Sequence, residues 1–140
     1  MRKAILILTL ILILIPNILF AKSNNYIPLL KKYFKSEWRT AYAIMMAESG
    51  GNPKAIGDTH LKYYSYGLFQ INRRWHKYPK EKLLEPEFNI KIAKKIYDER
   101  GWKEWGAYKN GSCERWLRRI IREEEKNEHN RNTQKESRGN

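Results

Sequence analysis

Of the fifteen acidic side chains in this 140-residue chain, Glu48 has the setting that most calls for a chemical explanation. In a helix through residues 37–49, Trp38, Ala41, Met45 and Glu48 recur at steps of three and four and share one stripe. A carboxylate on an apolar stripe is unfavourable unless it is paired or neutral. Apolar neighbours disfavour the anion, and so does the negative end of the helix. A carboxylic acid kept protonated near neutral pH can give its proton to a departing oxygen, the step that cleavage of a glycosidic bond requires. The competing reading is structural: Glu48 caps a turn, or pairs with Lys54 or an Arg.

Two-acid glycosidases hold their carboxyl groups about 5–5.5 Å or about 6.5–9.5 Å apart. Glu37 lies at the far end of the same helix, about 16 Å from Glu48 at ~1.5 Å rise per residue, which is too far. Asp58 is the nearest candidate second carboxylate, and its loop setting fits a plain turn residue equally well. His60 and His76 show no metal-ligand spacing with each other or with Cys113, so both are expected at the surface and no metal site is predicted. No glycine-rich phosphate loop and no serine-centred nucleophile motif is present, and no cofactor is expected. The chain holds five Trp and nine Tyr, and flat aromatic rings suit the apolar faces of sugars. Tyr63, Tyr64 and Tyr66 could wall a groove or pack a hairpin. Trp38, Trp102, Trp105 and Trp116 suit a core, and Trp75 could serve either purpose.

These residues need elements to hold them. Residues 26–35 predict a short helix with Tyr26, Leu29, Leu30 and Tyr33 on one side. Ser36 would cap the helix that carries Glu48, and Gly50-Gly51 would end it. Residues 50–66 have loop composition, with a short strand or hairpin near 62–66. Leu68 to Trp75 predicts a short helix or turn, and residues 79–86 connect it onward. Residues 87–100 form an amphipathic helix with Phe88, Ile92, Ile96 and Tyr97 on one face, ended by Gly101. A last helix begins near Ser112 and carries Trp116, Leu117, Ile120 and Ile121. Beyond Arg122 apolar residues vanish, so residues 122–140 are expected to be a charged tail, frayed or disordered.

Residues 1–21 stand apart. Arg2 and Lys3 precede an apolar run from Ala4, and Pro16-Asn17 and a small residue at Ala21 follow it, as in a secretory signal cut after Ala21. The 17 residues from Ala4 to Phe20 also approach the length of a membrane anchor, so an uncleaved anchor is the alternative. Either reading exports the remainder to the periplasm, cell envelope or exterior. The net charge is +13, and the excess lies within residues 22–121, which favours anionic polymers or membrane surfaces as partners. Nucleic acid suits the charge but not the export signal. Cys113 is the single cysteine, so no internal disulfide forms and Cys113 is expected to pack as a small apolar residue. The basic stretch Arg115–Arg122 predicts a solvated helix face or, more sharply, a membrane or partner contact.

Four segments occur in order: AIMMAESGGNP at 43–53, SYGLFQIN at 65–72, NIKIAKKI at 89–96 and WGAYKNG at 105–111. The series resembles the soluble-lytic-transglycosylase branch of the lysozyme-like superfamily over about residues 30–112. That resemblance implies a mainly α (α+β), lysozyme-like fold at residues 22–121, with a small strand-poor lobe beside a sugar cleft. It implies that Glu48 is the catalytic acid, and that Ser49, beside it in the same motif, and Tyr108 bind substrate. Tyr66, Gly67, Leu68, Phe69 and Gln70 would bind substrate or floor the groove, and Tyr108 would reach toward Glu48. Asn89 matches a structural residue. Lys109 stands where the family has Asn, and Asn comes one place later at Asn110. The implied substrate is peptidoglycan, cut between N-acetylmuramic acid and N-acetylglucosamine. One carboxylate would suffice, with the substrate's acetamido group assisting and a 1,6-anhydro end as product. A hydrolase that uses Asp58 to place water, and a non-catalytic wall-binding module, are the alternatives. The implied protein is a monomer, with envelope or secretion machinery as a further candidate partner.

Overall fold

The computed structural model describes residues 25–138. The leader, whether cleaved signal or anchor, lies outside the described residues. No helix among the described residues is long and apolar enough to cross a membrane.

Helix α1 (Ile27–Phe34) opens with Pro28 in its first turn and buries Leu30 and Phe34. A 3₁₀ turn over Lys35–Glu37 joins it to α2 (Trp38–Ser49). Ser36 therefore lies inside that turn and is not the expected cap; no side chain caps α2. Helix α2 is the centre of the molecule. Trp38 and the six consecutive residues Ala41–Met46 are buried, so the helix is enclosed on nearly all sides. Gly50 ends it in the left-handed region (φ 63°), its N–H donating to the Met46 carbonyl at 3.0 Å.

The segment after α2 forms a small antiparallel sheet of two-residue strands, β1 (Ile56–Gly57), β2 (Ser65–Tyr66) and β3 (Ile71–Asn72), in the order β1-β2-β3. Its register sets Gly57 opposite Ser65 and Ser65 opposite Asn72. Residues 68–75 therefore contain a turn and a strand where a helix or turn was predicted. The turn of Gly67–Gln70 needs positive φ at both ends (Gly67 76°, Gln70 46°), which breaks any helix there.

Helix α3 (Lys80–Leu83) leads into α4 (Pro86–Arg100), whose Ile90, Ile92, Ala93 and Ile96 are buried. A 3₁₀ turn over Trp102–Glu104 and the single-turn α5 (Gly106–Lys109) follow. An aromatic chain knits these pieces: Phe34 lies 5.9 Å from Phe69 and 5.3 Å from Trp102, and Trp105 lies 5.9 Å from Phe69 and 5.7 Å from Trp102. Cys113 is buried and unpaired, as expected.

Helix α6 (Glu114–Arg138) is continuous, so the charged segment after Arg122 is helical as far as Arg138, where loss of order was expected. Its Glu, Lys, Arg and Gln content favours helix without burial. The pair Glu114–Arg118 (3.3 Å) supports its first turns. Helix α6 runs back along α2: Ser112, just before it, hydrogen-bonds Ala107 near the end of α2, and Glu124 pairs with Arg39 at the start of α2.

Candidate active site

The stripe Trp38–Ala41–Met45 is buried as the helical spacing required, and it brings Glu48 out half-buried at the wall of an open cleft of about 560 Å³. Glu48, Asp58, Gln70, Asn72, Trp75 and Trp105 are among the residues that line the cleft. One oxygen of Glu48, Oε1, accepts a hydrogen bond from the Ala107 backbone N–H at 3.2 Å. The Glu48 carboxyl is held above the usual carboxylate range, chiefly by burial. The Ala107 amide opposes that shift, and the negative charge of Asp58 adds to it. Glu48 thus presents a carboxyl group of raised proton affinity to an accessible groove.

Asp58 follows β1 directly and takes a left-handed conformation (φ 56°). The register that aligns Gly57, Ser65 and Asn72 sets two donors beside its carboxyl group. Ser65 Oγ donates to Asp58 Oδ2, and Asn72 Nδ2 donates to the same oxygen at 3.2 Å. Asn72 also donates to Ser65 Oγ and to the Tyr63 carbonyl, both at 3.1 Å. Asp58 is therefore a built second carboxylate in the same cleft as Glu48. The composition of residues 50–66 could not show this, because both partners come from other strands.

Several expected substrate contacts sit elsewhere. Leu68 and Phe69 are fully buried, and Tyr66 and Gly67 are buried too; they support the groove from beneath and do not line it. Gln70 does line the cleft, but its amide donates to the Gly67 and Ala55 carbonyls at 2.9 and 3.3 Å and so holds the turn. Ser49 Oγ donates to Met45 O and accepts from the Gly51 N–H, which makes Ser49 part of the helix end. Tyr108 is exposed and does not line the cleft. One residue back on the same helical turn, buried Ala107 brings its amide to Glu48, and Gly106 and Lys109 line the groove instead. Asn89 is structural, as expected. It is fully buried, accepts from Phe69 N–H (2.9 Å), and donates to the carbonyls of Tyr66 (3.0 Å) and Leu83 (2.7 Å). That one side chain bolts the sheet's turn to α4.

Trp75 is 64% exposed on the cleft wall, with the Arg74 guanidinium 4.8 Å from its ring centre. Its ring suits the apolar face of a sugar. His76 also lines the cleft and is half-buried, which corrects its expected surface position. Burial, and next the charge of Arg100, hold the His76 imidazole below its ordinary range. No group of three or more metal-ligating side chains is found among the described residues.

The family described as "Lysozyme like domain" matches residues 33–107, more than half of the chain. The chain belongs to that family of lysozyme-like, glycan-cleaving enzymes. Its fold is similar to the crystal structure of a lysozyme from Litopenaeus vannamei, with a TM-score of 0.54 and 23% identity, over 70% of this chain and 91% of that one. No curated protein matches the sequence.

Proposed function

We propose that the protein cleaves peptidoglycan glycan strands between N-acetylmuramic acid and N-acetylglucosamine, with Glu48 as the general acid. The observation that carries this reading is the raised, half-buried Glu48 carboxyl beside an aromatic-walled groove. Glu48 would protonate the departing sugar oxygen while positive charge builds at the anomeric carbon. The motif series favours lytic transglycosylation. The acetamido group assists, Glu48 then acts as base, and the 6-hydroxyl attacks to leave a 1,6-anhydro end. Cleavage of this polymer fits an exported, monomeric protein in the envelope or outside the cell, with or without an anchor at residues 4–20.

The placement of Asp58 favours a second reading. A carboxylate held by Ser65 and Asn72 in the same cleft could stabilise the developing cation or place a water, giving hydrolysis. Digestion of purified sacculi with mass analysis of the fragments separates the two. Anhydro ends support transglycosylation, and reducing ends support hydrolysis. Glu48→Gln should lower turnover by about 10²–10⁴-fold. Unchanged turnover in that variant would remove Glu48 from the chemistry, and the absence of turnover in the parent would leave only a wall-binding module.

A further inference from the structure

Helix α6 lies outside the segment that matches the family, and it carries a second cavity, of about 560 Å³, that shares no residue with the catalytic cleft. It is lined by Arg115, Trp116, Arg119, Arg122, Glu123 and Lys126. At about 100° per residue the four basic side chains fall within roughly 60° of arc, and at ~1.5 Å rise they extend over about 16 Å. Arg115 and Arg119 flank the Trp116 ring, 5.4 and 5.7 Å from its centre. Trp116 Nε1 is the one buried side-chain nitrogen or oxygen among the described residues that lacks a hydrogen-bond partner. Natural structures seldom leave such a donor unmet, so it marks a place where an acceptor is wanted. Among the described residues Arg115, Arg122 and Lys126 form no ion pair, whereas Arg118 on another face pairs with Glu114. Guanidinium forks beside an indole ring suit a flat, acceptor-rich anion such as a carboxylate.

We propose that this stripe is a wall-anchoring site that binds the free carboxylates of the peptide stems on the peptidoglycan strand. The proposal rests on the peptidoglycan reading above and adds a second point of contact with the same polymer. Charge complementarity and position carry it. The stripe begins just beyond Cys113, whose N–H donates to Ala107 O, and the Ala107 amide in turn holds Glu48. The stripe thus starts within a few residues of the α5 turn whose Gly106 and Lys109 border the cleft. A bilayer fits less well, because the exposed apolar residue of this stretch, Ile121, lies more than about 90° round the helix from the basic stripe and cannot insert beside it.

The test uses the Glu48→Gln protein, so that turnover does not confuse binding, and measures its retention on insoluble sacculi whose carboxylates are free or blocked as methylamides. Arg115→Gln/Arg122→Gln/Lys126→Gln should weaken binding to untreated sacculi by about tenfold at low salt and leave binding to the blocked sacculi unchanged. Trp116→Phe, which removes the indole N–H together with the pyrrole half of the ring that Arg115 and Arg119 flank, should lower binding to untreated sacculi in the same direction. In the Glu48 parent, the triple change should leave cleavage of short, stem-free glycans unaltered. Equal retention of the triple variant, or equal binding of the unsubstituted stripe to blocked and untreated sacculi, overturns the proposal. So does stronger displacement by phosphatidylglycerol vesicles or a polyol phosphate than by soluble stem peptides. Persistent turnover in Glu48→Gln would sink the catalytic reading alone, since retention on sacculi is measured separately.

Discussion

Asn89 offers the sharpest test of how the cleft is held. Its side chain makes three hydrogen bonds to buried backbone, one accepted from Phe69 and two donated to Tyr66 and Leu83. Asn89→Ala leaves one N–H and two carbonyls without that partner, in a region closed to water. Each such group costs about 1–3 kcal/mol, so the expected loss is about 3–6 kcal/mol, allowing for second partners at the carbonyls. That is a large part of the 5–15 kcal/mol typical of a domain. At about 4 °C per kcal/mol for a chain near this size, the melting temperature should fall by roughly 12–24 °C. Circular dichroism melts at neutral pH are the assay. Asn89→Asp is the informative companion. It keeps the acceptor for Phe69 but turns carboxylate oxygen toward two carbonyls, so its folded-state pKa should rise. Its stability deficit should therefore shrink as the pH falls and the acid regains a donor. A loss below about 1 kcal/mol for Asn89→Ala would refute the view that one amide bolts the sheet to α4.

Further outcomes follow from the site. The Glu48 carboxyl is raised first by burial, so activity that needs its proton should fall as pH rises through that elevated value; Asp58→Asn removes a charge that helps raise it and should move this alkaline limb to lower pH. The same shift means that the folded state loses stability as pH rises from the ordinary carboxylate range through the raised value, so Glu48→Gln should melt higher than the parent at neutral pH. Trp75→Ala should raise the half-saturating glycan concentration about three- to tenfold, while shifting stability by under about 0.5 kcal/mol because the ring is exposed. Gly67→Ala would set a Cβ 2.2 Å from Leu83 O and 2.3 Å from Asn89 Nδ2 at φ +76°; thermal melts should show a loss above the ~1–2 kcal/mol of left-handed strain alone.

The stripe that carries Glu48 was legible because one short-range rule governs it: a 3.6-residue period places Trp38, Ala41, Met45 and Glu48 together whatever surrounds them. The amphipathic α4 and the ending of α2 at Gly50 were legible on the same grounds. Beyond a short strand or hairpin near residues 62–66, the sheet was not, because two-residue strands leave no alternation to detect and are defined only by their pairing with other segments. Asp58 shares that limit: the donors that fix it, Ser65 and Asn72, lie seven and fourteen residues away. Tyr108 and Ser49 were misplaced for a different reason. A motif names neighbours in sequence, and successive helical residues face directions about 100° apart, so Ala107 and Glu48 meet while Tyr108 and Ser49 do not. The start of α6 was legible, but its unbroken run past Arg122 was not, because polar composition resembles that of disordered tails, although the same residues are good helix formers.

The amide of Ala107 does more than steady the acid. A carboxylic acid has one carbonyl oxygen and one hydroxyl oxygen, and the former is much the better acceptor for an N–H. With Oε1 occupied by Ala107, the mobile hydrogen belongs on Oε2. In the proposed reaction the backbone thus chooses which of two chemically equivalent atoms is the donor, and with it the side from which a sugar oxygen would approach. That preference is written by an N–H that no side-chain substitution at residue 107, proline excepted, can erase.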